Sequence, residues 1–97
     1  MAASVHVVAR YLAKPGKEDE VKGLLIALIA PSRREIGCYQ YDLLRNPGDP
    51  RDFCFVERWE DDQAVDQHDA TAHVRTAMAQ VGELVEVPPD VRRYGIL

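Results

Sequence analysis

Apolar positions along the chain change between a period of two and a period of three to four, and each change marks a new element. Val5 to Leu12 (VHVVARYL) is a β-branched and aromatic run closed by Pro15-Gly16, which predicts a strand followed by a turn. Val21, Leu24, Leu25, Leu28 and Ile29 then recur at i, i+3, i+4, i+7 and i+8, the stripe of an amphipathic helix. Glu18, Asp19 and Glu20 fall in its first turn, where the helix dipole favours negative charge, and Pro31 is expected to end it. CYQYDLL and FCFVERW read as the second and third strands, joined through RNPGDPRD, and should pair as an antiparallel hairpin. In the third strand, period two sets Phe53, Phe55, Glu57 and Trp59 on one face and Cys54, Val56 and Arg58 on the other. Which face meets the helices is left open.

Helix resumes after Asp61 or Asp62, either of which suits an N-cap. Ala64, Val65 and His68 share a face, Asp69 to Thr71 permits a break, and Val74, Ala77, Met78, Val81, Leu84 and Val85 make a further stripe that runs to Pro88-Pro89. VRRYGIL supplies a last strand. The order β-α-β-β-α-β predicts an α+β fold of the ferredoxin-like kind, with an antiparallel sheet and one domain over residues 1–97. Helices on one side leave the other sheet face bare. Apolar residues on that face point to a homodimer through the sheet faces.

Composition narrows the function. A chain of 97 residues buries only roughly 60 to 65% of its unfolded surface, so self-association is a natural supplement to its core. A net charge of −4 and no Lys/Arg run argue against nucleic acid. The longest apolar run, Leu24 to Pro31, is far short of the roughly 20 residues of a membrane span, and MAASVHVVAR lacks a charged leader, so a cytoplasmic protein is expected. Cys38 and Cys54, each inside an apolar run, are expected to be buried reduced thiols.

Glu57-x-Trp59, then acidic residues, Ala64, His68 and His73, preceded by EIGCYQYDLL with Gly37, Cys38 and Tyr41, resembles the antibiotic biosynthesis monooxygenase domain family. The resemblance runs from VVARYLAKPGKEDEV to the terminal strand. It implies a dimeric α+β barrel with a pocket between sheet and helices in each subunit. It also implies, for several relatives, oxygenation of quinols or hydroxylated aromatics without metal, flavin or haem. Haem-degrading relatives carry an asparagine on the first strand; Ala9 stands there in this chain, which argues against that activity.

Oxygenation without a cofactor needs an electron-rich quinol-like substrate, O2, a group that takes a proton, and walls that exclude water. His68 is the first candidate for the base, because an ordinary imidazole titrates near neutral pH and its helix face points toward the sheet. His73 is a second catalytic candidate, and Glu57 is expected to orient a histidine or to accept from a substrate hydroxyl. Trp59, Tyr41 and Phe55 are expected as flat walls, and Arg10, with Arg58 and Arg75 as alternatives, as an anchor for an anionic substrate. Each residue also has a plain role: an interior histidine, a core tryptophan, a glutamate paired to arginine. His68 and His73 are about 140° apart on one continuous helix, unlike the i, i+4 spacing of a zinc motif, so no metal or other cofactor is expected. Only a break at Asp69 to Thr71 would let the two histidines join Glu57 as a two-histidine, one-carboxylate set. Two other readings stay open: an isomerase or proton-transfer enzyme on a small phosphorylated sugar or keto compound, and a non-catalytic dimeric ligand-binding module.

Overall fold

In a computed structural model, which describes residues 4–97, the chain forms β1 (Val5–Leu12), α1 (Glu18–Ile26), α2 (Ile29–Arg33), β2 (Cys38–Arg45), β3 (Asp52–Trp59), α3 (Asp62–Asp69), α4 (Ala72–Val81) and β4 (Asp90–Tyr94). Residues 1–3 of the expected domain lie outside the described residues. The strands pair antiparallel in the order β2-β3-β1-β4, the ferredoxin-like arrangement expected from the pattern. The β2–β3 connection is the predicted hairpin. Asn46 closes it by accepting the Gly48 N–H on its side-chain oxygen at 2.8 Å, while its own N–H donates to Asp52 O at 2.9 Å.

All helices cover one sheet face. Val7, Ala9 and Tyr11 of β1, Tyr41 of β2, and Phe53, Phe55, Glu57 and Trp59 of β3 point into the core, so the face left open by the sequence is settled by burial. From the helices, Val21, Leu25, Val65, Val74, Ala77 and Val81 complete it, with Leu28 between α1 and α2. Full burial of a side chain such as Leu25 contributes about 1.5 to 3 kcal/mol, so these positions hold the short helices on the sheet better than helix propensity does.

Element ends depart from the pattern in two places, each with a local cause. The first helix does not run to Pro31 but breaks at Ala27 and Leu28, and α2 restarts with Pro31 inside its first turn. A continuous helix would need an N–H from Pro31 to the Ala27 carbonyl; proline has none and is tolerated where that donor would be unpaired anyway. The last stripe was expected to stay helical through Val85, but α4 ends at Val81. Leu84 and Val85 then fold back beside β1, Leu84 O accepting from Lys14 N at 2.9 Å and Val85 bridging Ala13. The apolar spacing there reflects core burial without helix.

The break in the second helical stretch is as expected. Asp61 caps α3 by accepting from Ala64 N at 2.8 Å. At Thr71 the backbone turns extended, and its hydroxyl both donates to His68 O at 2.7 Å and accepts from Val74 N at 3.4 Å. Thr71 is thus the pivot that ends α3 and starts α4. Among the described residues no helix is long and apolar enough to cross a membrane.

Candidate active site

Four core-facing rings and two carboxylates gather where the ends of β2 and β3 meet α3. Tyr41 and Phe55 lie across the β2–β3 pair with centroids 4.6 Å apart, and Trp59 stands edge-on to Tyr41 at 6.2 Å. His68, on the buried face of α3, packs over Trp59 at 4.5 Å and beside Tyr41 at 5.3 Å. Trp59 is fully buried and His68 is 4% exposed. The predicted walls therefore come together, yet they touch one another and His68 directly, filling the space expected as a cavity between sheet and helices.

The kink at Thr71 turns His73 back toward His68, so their rings lie 6.2 Å apart despite the unfavourable helical spacing. One carboxylate oxygen joins them: Glu35 Oε2 is 2.7 Å from His68 Nδ1 and 2.9 Å from His73 Nε2. A carboxylate that is ionised can only accept, so both rings would then direct an N–H at Glu35, and in a neutral imidazole this leaves His68 Nε2 and His73 Nδ1 as the lone-pair nitrogens. Glu35 sits in the turn after α2, fixed by its own N–H to Ser32 O at 3.1 Å and by Cys38 N–H to its carbonyl at 3.2 Å. Gly37 follows with φ +86°, where a Cβ would come within 2.9 Å of the Ala64 Cβ; only glycine lets this turn press against α3.

Glu57 is not the hydrogen-bond partner of either histidine. The residue that orients the histidines is Glu35, whereas Glu57 accepts the Trp59 indole N–H at 2.8 Å across one residue of its own strand. Period two forces this, because Glu57 and Trp59 are same-face neighbours. Burial pushes the Glu57 carboxyl from its ordinary 4.5 up to about 7, with the indole bond pulling it down and Asp69 and Glu35 adding to the rise. Burial, reinforced by Glu57, also raises the Tyr41 phenol well above its usual range, so Tyr41 acts as a neutral wall.

Arg10 is not brought to this cluster. Val7, Ala9 and Tyr11 take the helix side of β1, so alternation sends Arg10 to the opposite face, where it lies 3.5 Å from Asp52. The cysteines are free and half-buried rather than fully buried, and burial pushes the Cys38 thiol up to about 11, away from nucleophilic thiolate at neutral pH.

A groove of about 380 Å³ runs between α1 and α4, lined by Leu24, Leu28, Ala72, His73, Thr76 and Gln80. Its volume suits one small aromatic molecule. It gives the site a route from solvent that sequence alone did not reveal: His73 faces the groove, and Glu35 connects it to the buried His68.

Residues 4–80 match the family model described as antibiotic biosynthesis monooxygenase. The chain belongs to the antibiotic biosynthesis monooxygenase family. The Mycobacterium tuberculosis protein named "Putative monooxygenase Rv0793" is 36% identical over 91 residues, covering 94% of this chain and 89% of its own. Its solved structure superposes with a TM-score of 0.93 over 98% of this chain and 96% of that one, at 34% identity. "Putative monooxygenase YcnE" of Bacillus subtilis is 38% identical over 80 residues, 82% of this chain and 84% of its own. The crystal structure of PA3566 from Pseudomonas aeruginosa superposes with a TM-score of 0.93 at 32% identity, over 100% of this chain and 97% of that one. Family membership, expected from the Glu57-x-Trp59 to His68 pattern, and the ferredoxin-like fold, expected from the order of the elements, are thereby established together.

Proposed function

We propose that this chain is a cofactor-independent monooxygenase acting on a quinol or polyhydroxylated aromatic, with the Glu35-bridged histidine pair as its proton acceptor. The observation that carries the reading is the single Glu35 oxygen holding both imidazoles, one of which, His73, lines a ring-sized groove. A substrate ring seated against Leu24, Leu28 and Ala72 meets His73 first. His73 Nδ1 takes the phenolic proton, and Glu35 stabilises the imidazolium through Nε2, with His68 fixing the carboxylate from its other side. The resulting phenolate gives an electron to O2. A hydroquinone and O2 then balance as hydroxyquinone and water, so no external reductant is required. In this arrangement His68, the first candidate from sequence, is a positioning residue behind Glu35, and Trp59, Tyr41 and Phe55 form the dry wall behind it.

Support for a homodimer comes from the bare sheet face. His6, Val8, Leu44, Val56 and Tyr94 share it, and Leu44 and Tyr94 are each about half exposed. Light scattering across a dilution series tests the dimer, and a monomer at micromolar concentration rules it out.

Oxygen uptake by chelator-treated protein, measured against a panel of hydroquinones, tests the activity. His73→Ala and Glu35→Gln are expected to lower the rate by about 10²-fold or more, the size of a general-base contribution. Silence across the panel refutes the oxygenase reading. A bridged histidine pair also suits proton transfer on a keto or sugar-like carbon acid; deuterium incorporation from solvent with no oxygen consumed would select that activity.

A further inference from the structure

The structure assigns Glu35, His68 and His73 as a site for one divalent transition-metal ion. One ring nitrogen of His68 on α3, one of His73 on α4 and a carboxylate oxygen of Glu35 in the turn after α2 all lie within 4.8 Å of one another, and His68 Nδ1 and His73 Nε2 are the nitrogens that face Glu35. Two imidazoles and one carboxylate form the donor set that suits zinc, iron, cobalt or nickel, while calcium and magnesium demand oxygen ligands.

In the hydrogen-bonded form the donors are closer than metal ligands would be. The separations of 2.7 and 2.9 Å would open to about 3.3 Å around an ion with tetrahedral bonds of about 2.0 to 2.1 Å. The two ring nitrogens, within 4.8 Å of each other, would also close by up to about 1.5 Å toward that spacing. These shifts fall on the Glu35 side chain and the half-buried His73 ring, while His68 stays fixed between Trp59 and Tyr41. Three protein ligands leave at least one coordination position open, and His73 lines the α1–α4 groove, which gives ion and solvent an entry path.

Protons and metal compete for the same atoms. An ion bound to His68 Nδ1 and His73 Nε2 displaces both N–H bonds to Glu35. The remaining proton of each neutral ring then sits on His68 Nε2 and His73 Nδ1, where the proposed base needs a lone pair. The metal-filled and base-competent forms therefore exclude each other. Metal uptake itself does not depend on the oxygenase reading, since binding is read without turnover.

The test is titration of tag-free, chelator-stripped protein with Co²⁺, followed by visible absorption, and then displacement of Co²⁺ by Zn²⁺ with binding followed calorimetrically. One ion per chain is expected. His73→Ala and Glu35→Gln should each weaken binding by more than about tenfold, since even loss of a supporting residue costs 10- to 100-fold. Both positions are partly solvent-facing, so these variants are expected to fold, which circular dichroism checks. His6→Ala removes the chain's third histidine, on the opposite sheet face, and should leave binding unchanged. No stoichiometric uptake, uptake indifferent to both site variants, or uptake lost in His6→Ala each overturns the assignment. Uptake without oxygenase activity leaves the site standing and removes only the proposed reaction.

Discussion

Replacing Glu57 by glutamine should make the protein more stable, and by an amount that grows with pH. Glu57 is 4% exposed, and burial raises its carboxyl from 4.5 to about 7. In the unfolded chain the group ionises at its ordinary value; in the fold it keeps its proton to a higher pH. Below about pH 4.5 both states are protonated and the group contributes nothing to pH dependence. Between about 4.5 and 7 the unfolded chain sheds a proton that the fold retains, so the wild type loses stability as pH rises. Above 7 the loss is complete. A shift of about 2.5 pH units corresponds to about 3 kcal/mol. Glutamine has nearly the same shape, can still accept the Trp59 indole N–H, and does not titrate. Any constant offset from its extra amide N–H groups cancels in the slope. Urea denaturation of both proteins at fixed concentration, at intervals from pH 5 to pH 8, reads the difference. Glu57→Gln should gain about 3 kcal/mol on the wild type across that range, on the order of 10 °C in Tm at the alkaline end. A difference that stays flat with pH, or a variant that loses ground as pH rises, refutes the reasoning from burial.

Gly37→Ala should cost about 1 to 3 kcal/mol, because it forces a φ of +86° on alanine and brings its Cβ to 2.9 Å from Ala64; unfolding in urea measures it, and a neutral effect would mean that the turn is free to move. Thr71→Ala should cost about 1 kcal/mol for the lost cap of α4, with Thr71→Ser close to neutral, and the imidazole NMR signals of His68 and His73 should shift as their shared contact with Glu35 loosens. Trp59→Phe keeps a ring against His68 but leaves Glu57 without its donor, so it should lose about 1 to 3 kcal/mol in the wild-type background and less in Glu57→Gln; equal losses in the two backgrounds would deny the coupling.

The fold was legible where one periodicity ran unopposed. In β3 the alternation of Phe53, Phe55, Glu57 and Trp59 predicted a common face, and every one of them is buried on it. It failed where core burial imitated helical spacing without a helix. Leu84 and Val85 extend the stripe of α4 yet belong to the turn that returns to β1, and Leu28 and Ile29 span a break that Pro31 imposes. Spacing records which residues are buried and is blind to how the backbone between them runs.

The site was half legible for the same reason. His68 and Trp59 announce themselves by residue type on elements whose faces can be predicted, and they meet at 4.5 Å. Glu35 announces nothing: in SRREIG it reads as one more solvated charge, and it lies 33 positions before His68. Its partner signal is Gly37, whose left-handed backbone lets the turn approach α3 closely enough for the carboxylate to reach across. The buried His68 ring and the half-buried His73 ring need an acceptor for their N–H groups, and β3 does not supply it, because Glu57 is already engaged by the indole beside it. Once His68 and His73 are placed on either side of the Thr71 kink, a carboxylate must arrive from another element, and the glycine-tightened turn ahead of β2 is positioned to deliver one.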